Sequence, residues 1–578
     1  MQIGPPARFD GAPFPQHLQQ PPGTLVGPYR AAVPQWPMPI PRRTPSRSRP
    51  LDVRELLVLG AFVVLFDVVS FRGDDFASGG YGLALLLTLC PVGLFAAARA
   101  RRLSPRLACT GAMLGAVALR CAYSPTAMNA LAGFALAFLF ALSLRVRRVF
   151  VPEAILSALG ALRRIPSRVR ATFRGTRVLL SRTRMGRVAI LPIFIPFALA
   201  VAFGAVFAFA NPIVAHVFDV SFSFVARVIH VPSAGRVFFW GATVLFGATL
   251  LRPAIRLARG TETAAETQEA TPTSLLVARN GLVVLNVMFL AYNALDATFL
   301  WSGKLPSGMR TQQYAHLGAF WLTVALVMLT GVVGIMFRGA LSRDERAKHA
   351  RTMAYVLMGQ GFVLALGTYR RIAIHIAYSG LSDLRIVGIL GTTLVVIGVA
   401  LVARKLHATK SFTWLLRRQL DAFAVTAVLY LIAPTHLIAA HVNVSRIERG
   451  ENRPIVHMFR QSREPESAPV LIALLDHPDL RVRQGAAELL ENERQVLRGD
   501  VAGRSSWRQR DIASRRALTA IDNAAPRIAE VLGDVDRAAA RQVLREISRL
   551  SNDDATLEDL LAIPDAAGWS RSHARSSY

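Results

Sequence analysis

The chain has few cysteines and few charged residues. Of its 578 residues, three are cysteine and 18% are charged, whereas 52% are hydrophobic. Cys90, Cys109 and Cys121 all fall in apolar stretches and no CxxC pair occurs, so neither a disulfide framework nor a cysteine metal site is predicted. With a mean hydropathy of +0.37, this composition excludes an ordinary soluble globular protein and predicts an integral membrane protein.

Motifs of soluble enzyme chemistry are missing as well. The sequence contains no phosphate-binding GxxxxGK loop, no dinucleotide fingerprint at a strand-to-helix turn, no HExxH and no GxSxG on a nucleophile elbow. His436 and His441 are five residues apart, about 500° around a helix, which is poor geometry for one metal ion. No catalytic, cofactor-binding or metal-ligating residue is therefore predicted, and no cofactor.

Long apolar runs are abundant instead. A transmembrane helix needs about 17 to 25 mainly apolar residues, and about eleven segments qualify. They cover approximately residues 55–71, 81–98, 106–122, 127–144, 188–210, 235–251, 280–299, 315–337, 353–377, 385–403 and 419–438. The predicted fold is all-α, a polytopic transmembrane helix bundle over residues 51–438.

Lysine and arginine collect in every second loop between these segments. The basic set comprises the N-terminus and residues 99–106, 145–187, 252–279, 338–352 and 404–418, whereas the intervening loops 72–80 and 301–308 are poor in basic residues. Because basic loops stay in the cytoplasm, the pattern predicts a protein of the bacterial inner membrane. Its N-terminus is expected to be cytoplasmic and its C-terminus extracytoplasmic.

The net charge of +30 does not predict nucleic-acid binding. Residues 438–578 contain 21 arginines and 21 acidic residues, so the excess lies in the membrane part. The loop 145–187 alone holds twelve arginines against one acid, Glu153, and it includes apolar stretches. This composition predicts amphipathic segments that lie on anionic lipid headgroups, where each basic residue contributes about 1 kcal/mol.

The two ends of the chain differ from the bundle. Residues 1–50 contain thirteen prolines and show no periodicity, which predicts a disordered cytoplasmic extension. Residues 439–578, called the tail below, read as a small extracytoplasmic helical domain. Its segment 468–490 resembles a HEAT-type helix–turn–helix, with a looser echo at 525–547. The tail is interpreted either as a protein-docking surface or as a cap on the bundle.

Charged groups inside the apolar segments are costly, so they indicate pairs or functional sites. Arg371, His375 and Tyr378 share one helix face by their spacing, and Asp67 or Asp296 could supply a carboxylate to the arginines. The full set of a possible polar cluster is Asp67, Arg120, Asp296, Arg370, Arg371, His375, Tyr378 and Arg385. Two readings stay open: pairs that lock helices together, or a cleft for a ligand.

Several motifs also resemble a known family. The most specific is Tyr378-x-Gly380-Leu381-Ser382-x-Leu384-Arg385, of the form Y-x-G-L-S/T-x-x-R. Similar matches are Tyr314-Ala315-x-x-Gly318 followed by Leu322; Pro434 with Ile438, Ala439, Asn443 and Arg446; and an aspartate, Asp67, in the first span. These residues resemble an uncharacterised family of bacterial multi-pass membrane proteins, the domain of unknown function numbered four-one-seven-three, with its relative four-one-five-three.

The resemblance covers roughly residues 51–446 and implies the membrane fold but no activity, substrate or cofactor. His316 and Leu317 stand where the family usually has arginines, and Trp321 where it often has an acid. Three functions are therefore predicted as alternatives. The first is a non-enzymatic scaffold or envelope sensor that presents the tail to a protein partner. The others are a secondary transporter that uses the polar cluster, and a membrane glycosyl- or lipid transferase that uses Asp74 and Asp75.

Overall fold

The structure is a computed structural model. It describes residues 51–72, 75–76, 79–98, 103–146, 149–162, 164–181, 233–253, 270–301, 311–504, 506–533, 535–552 and 557–566. The predicted disordered extension 1–50, the predicted span 188–210 and the acidic residue Asp74 lie outside these ranges. Regular structure in the described part is helical except for one short β-hairpin.

Five helices of the first half pack around one hydrophobic core. They are α1 (Val53–Ser70), α2 (Gly80–Ala97), α3 (Pro105–Tyr123), α4 (Ala127–Ser143) and α7 (Ala234–Leu251). The two-residue strands β1 (Phe71–Arg72) and β2 (Asp75–Phe76) pair antiparallel between α1 and α2. Side chains of Ser104, Thr126 and Ser233 accept N-cap hydrogen bonds, which fixes where three of these helices begin.

The second half forms a separate core. It is built by α8 (Pro272–Asp296), α9 (Thr311–Met336), α10 (Lys348–Ser379), α11 (Asp383–His407) and α12 (Phe412–Ile432), with a π-helical turn (Ala297–Trp301) after α8. Helix α12 joins the halves, because Val428 is buried in the first core and Leu415 in the second. Helices α1–α4 and α7–α12 are called the bundle below.

Three of these helices, α2, α8 and α11, are long and apolar enough to cross a membrane. Helix α12 and α13 (Thr435–Glu448) would pass together but are bent by 60° at a short break. These helices indicate a membrane protein. The count of eleven spans is larger than the number of helices that qualify, and it stays a prediction. Helix α1 illustrates why fewer qualify, since it carries Arg54, Glu55 and Asp67 within 18 residues.

The last predicted span, 419–438, is wrong in its end point. Helix α12 stops at Ile432, and a new helix begins at Thr435 with Pro434 as its N-cap residue. Proline lacks the backbone N–H that a continuing helix needs and disfavours the helical conformation at the residue before it. The break turns α13 toward the tail, where Val444 and Ile447 join the tail core.

Apolar side chains cover much of the bundle surface. On α8, only Ala278, Leu282 and Asp296 are buried, while Val277 and Val287 are 65% and 62% exposed. So large an apolar surface is unfavourable in water but matches a hydrocarbon environment. The exposed face of α8 therefore supports the membrane assignment.

The basic loop 145–187 contains two helices, α5 (Val151–Leu162) and α6 (Ile165–Ser181). Ile155 and Leu159 on α5, and Phe173 on α6, are exposed apolar side chains. Four arginines lie on α6 and none on α5, so α6 has the amphipathic character predicted for a headgroup-bound element, whereas α5 adds exposed apolar side chains.

The tail has its own core, formed by residues between Val444 and Ala566. Its main helices are α14 (Met458–Gln461), α15 (Leu480–Gly503), α16 (Ile512–Asn523), α17 (Ala525–Leu532), α18 (Arg537–Asn552) and α19 (Leu557–Leu561); 3₁₀ turns lie at Arg453–His457, Ala468–Asp476 and Trp507–Gln509. The first predicted HEAT-like helix is therefore a 3₁₀ segment, and Asp479 caps the helix that follows. The helix–turn–helix pattern is present, and the HEAT assignment stays a prediction.

Candidate functional site at the junction of bundle and tail

The eight residues predicted as a polar cluster do not lie in one place. Asp67 and Arg120 belong to helices of the first core, whereas the other six belong to the second. Apolar periodicity does not reveal which spans share a core; of the two carboxylates suggested as partners for the arginines, Asp296 pairs with Arg371. Each group therefore has to be described with its own partners.

Asp67 accepts three hydrogen bonds from α7. Arg236 Nε and Nη2 donate to its two carboxylate oxygens at 2.6 and 2.5 Å, and Trp240 Nε1 donates at 2.8 Å. The Arg236 guanidinium also lies 5.6 Å from the ring centroid of Phe71. Asp67 thus ties α1 to α7 and does not contact the arginines of α10.

Arg120 connects the bundle to the tail. Its guanidinium makes a bidentate pair with Glu466, at 2.5 and 3.0 Å, and both side chains are largely buried. Bidentate arginine–carboxylate pairs combine charge with fixed geometry. The pair holds the end of α3 against the turn before the 3₁₀ segment Ala468–Asp476.

Asp296 and Arg371 form a buried pair between α8 and α10. Arg371 Nη1 and Nη2 donate to the carboxylate at 2.8 and 2.5 Å, and the arginine is fully buried. A Cβ on Gly367 would lie 2.9 Å from Asp296 Oδ2, so glycine leaves the carboxylate room to approach. Arg370, the adjacent residue, is exposed.

The α10–α11 corner, residues 376–385, is where the family motif lies. Gly380 ends α10 with φ +92°, a conformation that favours glycine. The Arg385 guanidinium returns to this corner, donating to the Gly380 carbonyl and, at 2.6 Å, to Ser379 Oγ. His375 and Tyr378 are half-buried on the last turns of α10, and Arg453 of the tail stacks 4.0 Å from the Tyr378 ring centroid.

Asn443 of α13 forms hydrogen bonds with the backbone of this corner. Its amide donates to the Leu381 carbonyl at 2.7 Å and its oxygen accepts from the Leu381 N–H at 2.6 Å, with the side chain fully buried. A Cβ on Gly380 would lie 2.5 Å from Asn443 Oδ1. Gly380 is thus required both by its positive φ and by the close approach of Asn443.

Arg446, one turn further along α13, caps α10. Its Nη1 and Nη2 donate to the carbonyls of Ile376 and Ala377 at 2.6 and 2.5 Å. The last carbonyls of a helix have no partner within the helix and carry partial negative charge. A guanidinium from the tail side therefore satisfies the end of a bundle helix.

His457 and Arg460 complete the contacts of the tail with this corner. Arg385 Nη1 lies 3.3 Å from His457 Nε2, and Arg460 Nη2 donates to Asp383 at 2.7 Å. Burial, followed by the neighbouring Arg385 cation, lowers the pKa of His457 to about 4, although a hydrogen bond with the Ser379 backbone acts in the opposite direction. The neutral imidazole is the form that fits beside Arg385.

The first core is held by the loop before α16. Arg508 Nη1 donates to the Phe71 carbonyl at 2.6 Å, and the Tyr81 N–H donates to the Arg510 carbonyl at 3.1 Å. A Cβ on Gly79 would lie 2.4 Å from the Cα of Gln509. The backbone of the tail therefore lies directly on the α1–α2 corner.

The family comparison now has a structural counterpart. A sequence model described as a domain of unknown function (DUF4153) matches residues 107–474, more than half of the chain. The chain belongs to this family. DUF4153 was the relative in the resemblance drawn from sequence, and its match extends further into the tail, to Leu474. No curated protein and no solved structure matches the chain.

Both sides of the α10–α11 corner lie inside the DUF4153 match. The motif residues Gly380 and Arg385 form one side, and Asn443 and Arg446 form the other. Segments that the resemblance gave as separate motifs are thus one contact. The structure accounts for them as the joint between bundle and tail.

The sequence did not predict which residues of the tail contact the bundle at this joint. Glu466, His457 and Arg460 sit in polar stretches of the tail, where nothing in the local pattern distinguishes them from solvent-exposed residues. Arg236 was detectable, because it lies at the start of a predicted span at the same end as Asp67. Within the described ranges, no group of three or more His, Cys, Asp or Glu side chains could hold a metal ion.

Proposed function

We propose that this DUF4153 protein is a multi-pass membrane scaffold without enzymatic activity. It holds its tail in one orientation against the bundle, as a docking surface for another protein or as a sensor of the cell envelope. The observation that carries the proposal is that the tail is fastened to both cores. Arg508 and Glu466 bind the first core, and Asn443, Arg446 and Arg460 bind the second.

This mode of attachment favours a fixed orientation over a flexible tether. Arg120–Glu466 and Asn443–Leu381 are buried and each makes two hydrogen bonds. Breaking one partner of such a pair leaves a buried polar group without its partner, which costs about 1–3 kcal/mol or more. A tail bound at several such points moves little relative to the bundle.

The proposed topology places about eleven spans in the inner membrane, with the tail outside. Its support is the distribution of charge, because α5 and α6, the two helices of the arginine-rich loop 145–187, lie at the bundle end opposite to the tail. Arg168 of α6 donates to the Arg252 carbonyl at the far end of α7. Basic residues retained in the cytoplasm would leave the tail on the other side.

Photo-crosslinking from the tail in living cells tests the docking role. Val496 on α15 and Leu561 on α19 are 50% and 63% exposed, and Val277 on the bundle helix α8 is 65% exposed. We expect a photoreactive residue at either tail position to give one discrete protein adduct that is absent at Val277. Absence of an adduct at both tail positions would contradict a docking role and favour a plain cap.

A secondary transporter is the second candidate, because one intramembrane feature favours it. Asp296 pairs with the fully buried Arg371 and is followed directly by the π-helical turn Ala297–Trp301. Such turns inside helices are frequent at functional sites. If Asp296→Asn leaves the folded protein intact but reproduces the phenotype of a deletion strain, the pair takes part in transport. Loss of folded protein instead marks the pair as a lock between helices.

A further inference from the structure

A cavity on the side of the tail is lined mainly by arginines. It has a volume of about 460 Å³ and is bordered by Phe459, Arg460, Arg463, Glu464 and Arg545. These residues come from α14, the turn after it and α18, so the tail fold brings them together from distant parts of the sequence. Three guanidinium groups around one carboxylate give the cavity a net positive charge.

Two of these arginines are available to a ligand. Arg463 and Arg545 are exposed, and their guanidinium groups make no hydrogen bond or ion pair with any residue in the described ranges. The third, Arg460, is 56% exposed and shares its charge with Asp383. Glu493 is a further acid near Arg463; burial, together with Asp500 and Glu464, raises its pKa to about 7, and the Arg463 charge acts in the opposite direction.

The position of the cavity suggests the source of its ligand. Arg460 donates at 2.7 Å to Asp383, the first residue of α11, which is long and apolar enough to cross a membrane. The arginine-lined wall is therefore close to the level at which a spanning helix leaves the hydrocarbon. Phe459 adds an apolar wall beside the guanidinium groups.

We propose that this cavity binds a phosphate group, with Arg463 and Arg545 as its ligands and Arg460 as support. Guanidinium groups match phosphate oxygens in geometry and bind them through charge-assisted hydrogen bonds. The phosphate belongs either to the headgroup of an anionic phospholipid or to a soluble phosphate compound. This site is separate from the protein-docking role proposed above, so either can fail without the other.

Photolabelling of the full-length protein in lipid nanodiscs tests the site. The probe is a photoactivatable phosphatidylglycerol, and the labelled peptides are mapped by mass spectrometry. We expect labelling of the peptide that contains Phe459. Arg463→Ala with Arg545→Ala should reduce that labelling about tenfold, since two charge-assisted contacts are lost. Labelling of α6 in the same sample should not change, which controls for lipid content and folding.

A matched variant and a second probe separate the outcomes. Arg515→Ala with Arg516→Ala removes the same charge from two exposed arginines of α16 and should leave Phe459 labelling within twofold. If the lipid probe does not label this peptide but the protein binds inorganic phosphate and loses that binding in the Arg463/Arg545 variant, the site is assigned to a soluble phosphate compound. Unchanged lipid labelling and unchanged phosphate binding in the Arg463/Arg545 variant would overturn the proposal.

Discussion

The two ends of the bundle satisfy their helix termini in different ways. At the end away from the tail, the bundle and its connecting segments supply the cations themselves. Lys405 of α11 donates to the Gly334 and Phe337 carbonyls at the end of α9, and Arg145 and Arg168 donate to the carbonyls that end α7. We call this the basic end.

At the other end, called the capped end, the tail supplies the cations. Arg446 binds the last carbonyls of α10, and Arg508 binds the carbonyl of Phe71, the C-cap residue of α1. The sequence segments 72–80 and 301–308, which follow α1 and α8, contain few basic residues. The comparison indicates that helix carbonyls at this end, where the chain's own connecting segments offer few cations, are satisfied by arginines of the tail.

The largest effect should come from the buried pair that lies near the capped end. Asp296→Asn leaves Arg371 charged and fully buried, which costs about 3–5 kcal/mol. Asp67→Asn is the comparison in the first core, and its smaller burial should give a smaller loss. Thermal unfolding in detergent measures both variants. If both variants lose the same amount of stability, the degree of burial of the ion pair does not determine the size of the loss.

The pH dependence of the capped end should contain two opposing contributions of similar size. The pKa of His457 is lowered from 6.5 to about 4 in the folded protein, so its stabilisation is complete above pH 6.5 and is lost as pH falls toward 4. The pKa of Glu493 is raised from 4.5 to about 7, so its contribution is present below pH 4.5 and is lost as pH rises to 7. Each amounts to about 3 kcal/mol.

Variants of these two residues separate the contributions. With His457→Gln, the Glu493 contribution is no longer opposed by that of His457, so stability of the tail should fall as pH rises from 4.5 to 7. With Glu493→Gln, tail stability should rise over pH 4 to 6.5. Hydrogen exchange of α15 amides in the full chain reports tail opening at each pH, with amides of α2 as the bundle control. Identical profiles in both variants would contradict the assignment of either group.

Gly380→Ala tests the joint between bundle and tail by adding a single methyl group. The new methyl group would meet Asn443 Oδ1 at 2.5 Å in a backbone with φ +92°, and we expect a cost of about 2 kcal/mol. Gly391→Ala is the control, because nothing lies within 4 Å of that position on α11 and alanine favours helix. Thermal unfolding of the full chain compares the two variants. If Gly380→Ala does not lower the unfolding temperature, the close contact between Gly380 and Asn443 does not constrain the corner.

The sequence predicted the helices well and their partners poorly. The predicted segment 106–122 matches α3, whose start is fixed by Ser104 and Pro105, because caps act locally. The predicted segment 419–438 ran past Pro434, where α12 had already ended. Arg120 and Glu466 are 346 residues apart, and no local pattern links them. The site was also predicted as one cluster, since topology places charges at one end of the membrane without assigning them to a core.

The smallest effects should come from the caps themselves, and they test the comparison of the two ends most directly. Arg446→Met and Lys405→Met each remove charge-assisted bonds to helix carbonyls while keeping the apolar stem, so each should cost about 1–2 kcal/mol. The location of the loss should differ. Arg446→Met should speed proteolysis of the tail and leave the bundle intact, whereas Lys405→Met should lower the unfolding temperature of the bundle. Arg449→Met, at a guanidinium that donates to the Ser445 carbonyl of the preceding helical turn, controls for loss of an arginine. If Arg446→Met destabilises the bundle as much as Lys405→Met does, the tail is part of the bundle core and not a cap fastened to it.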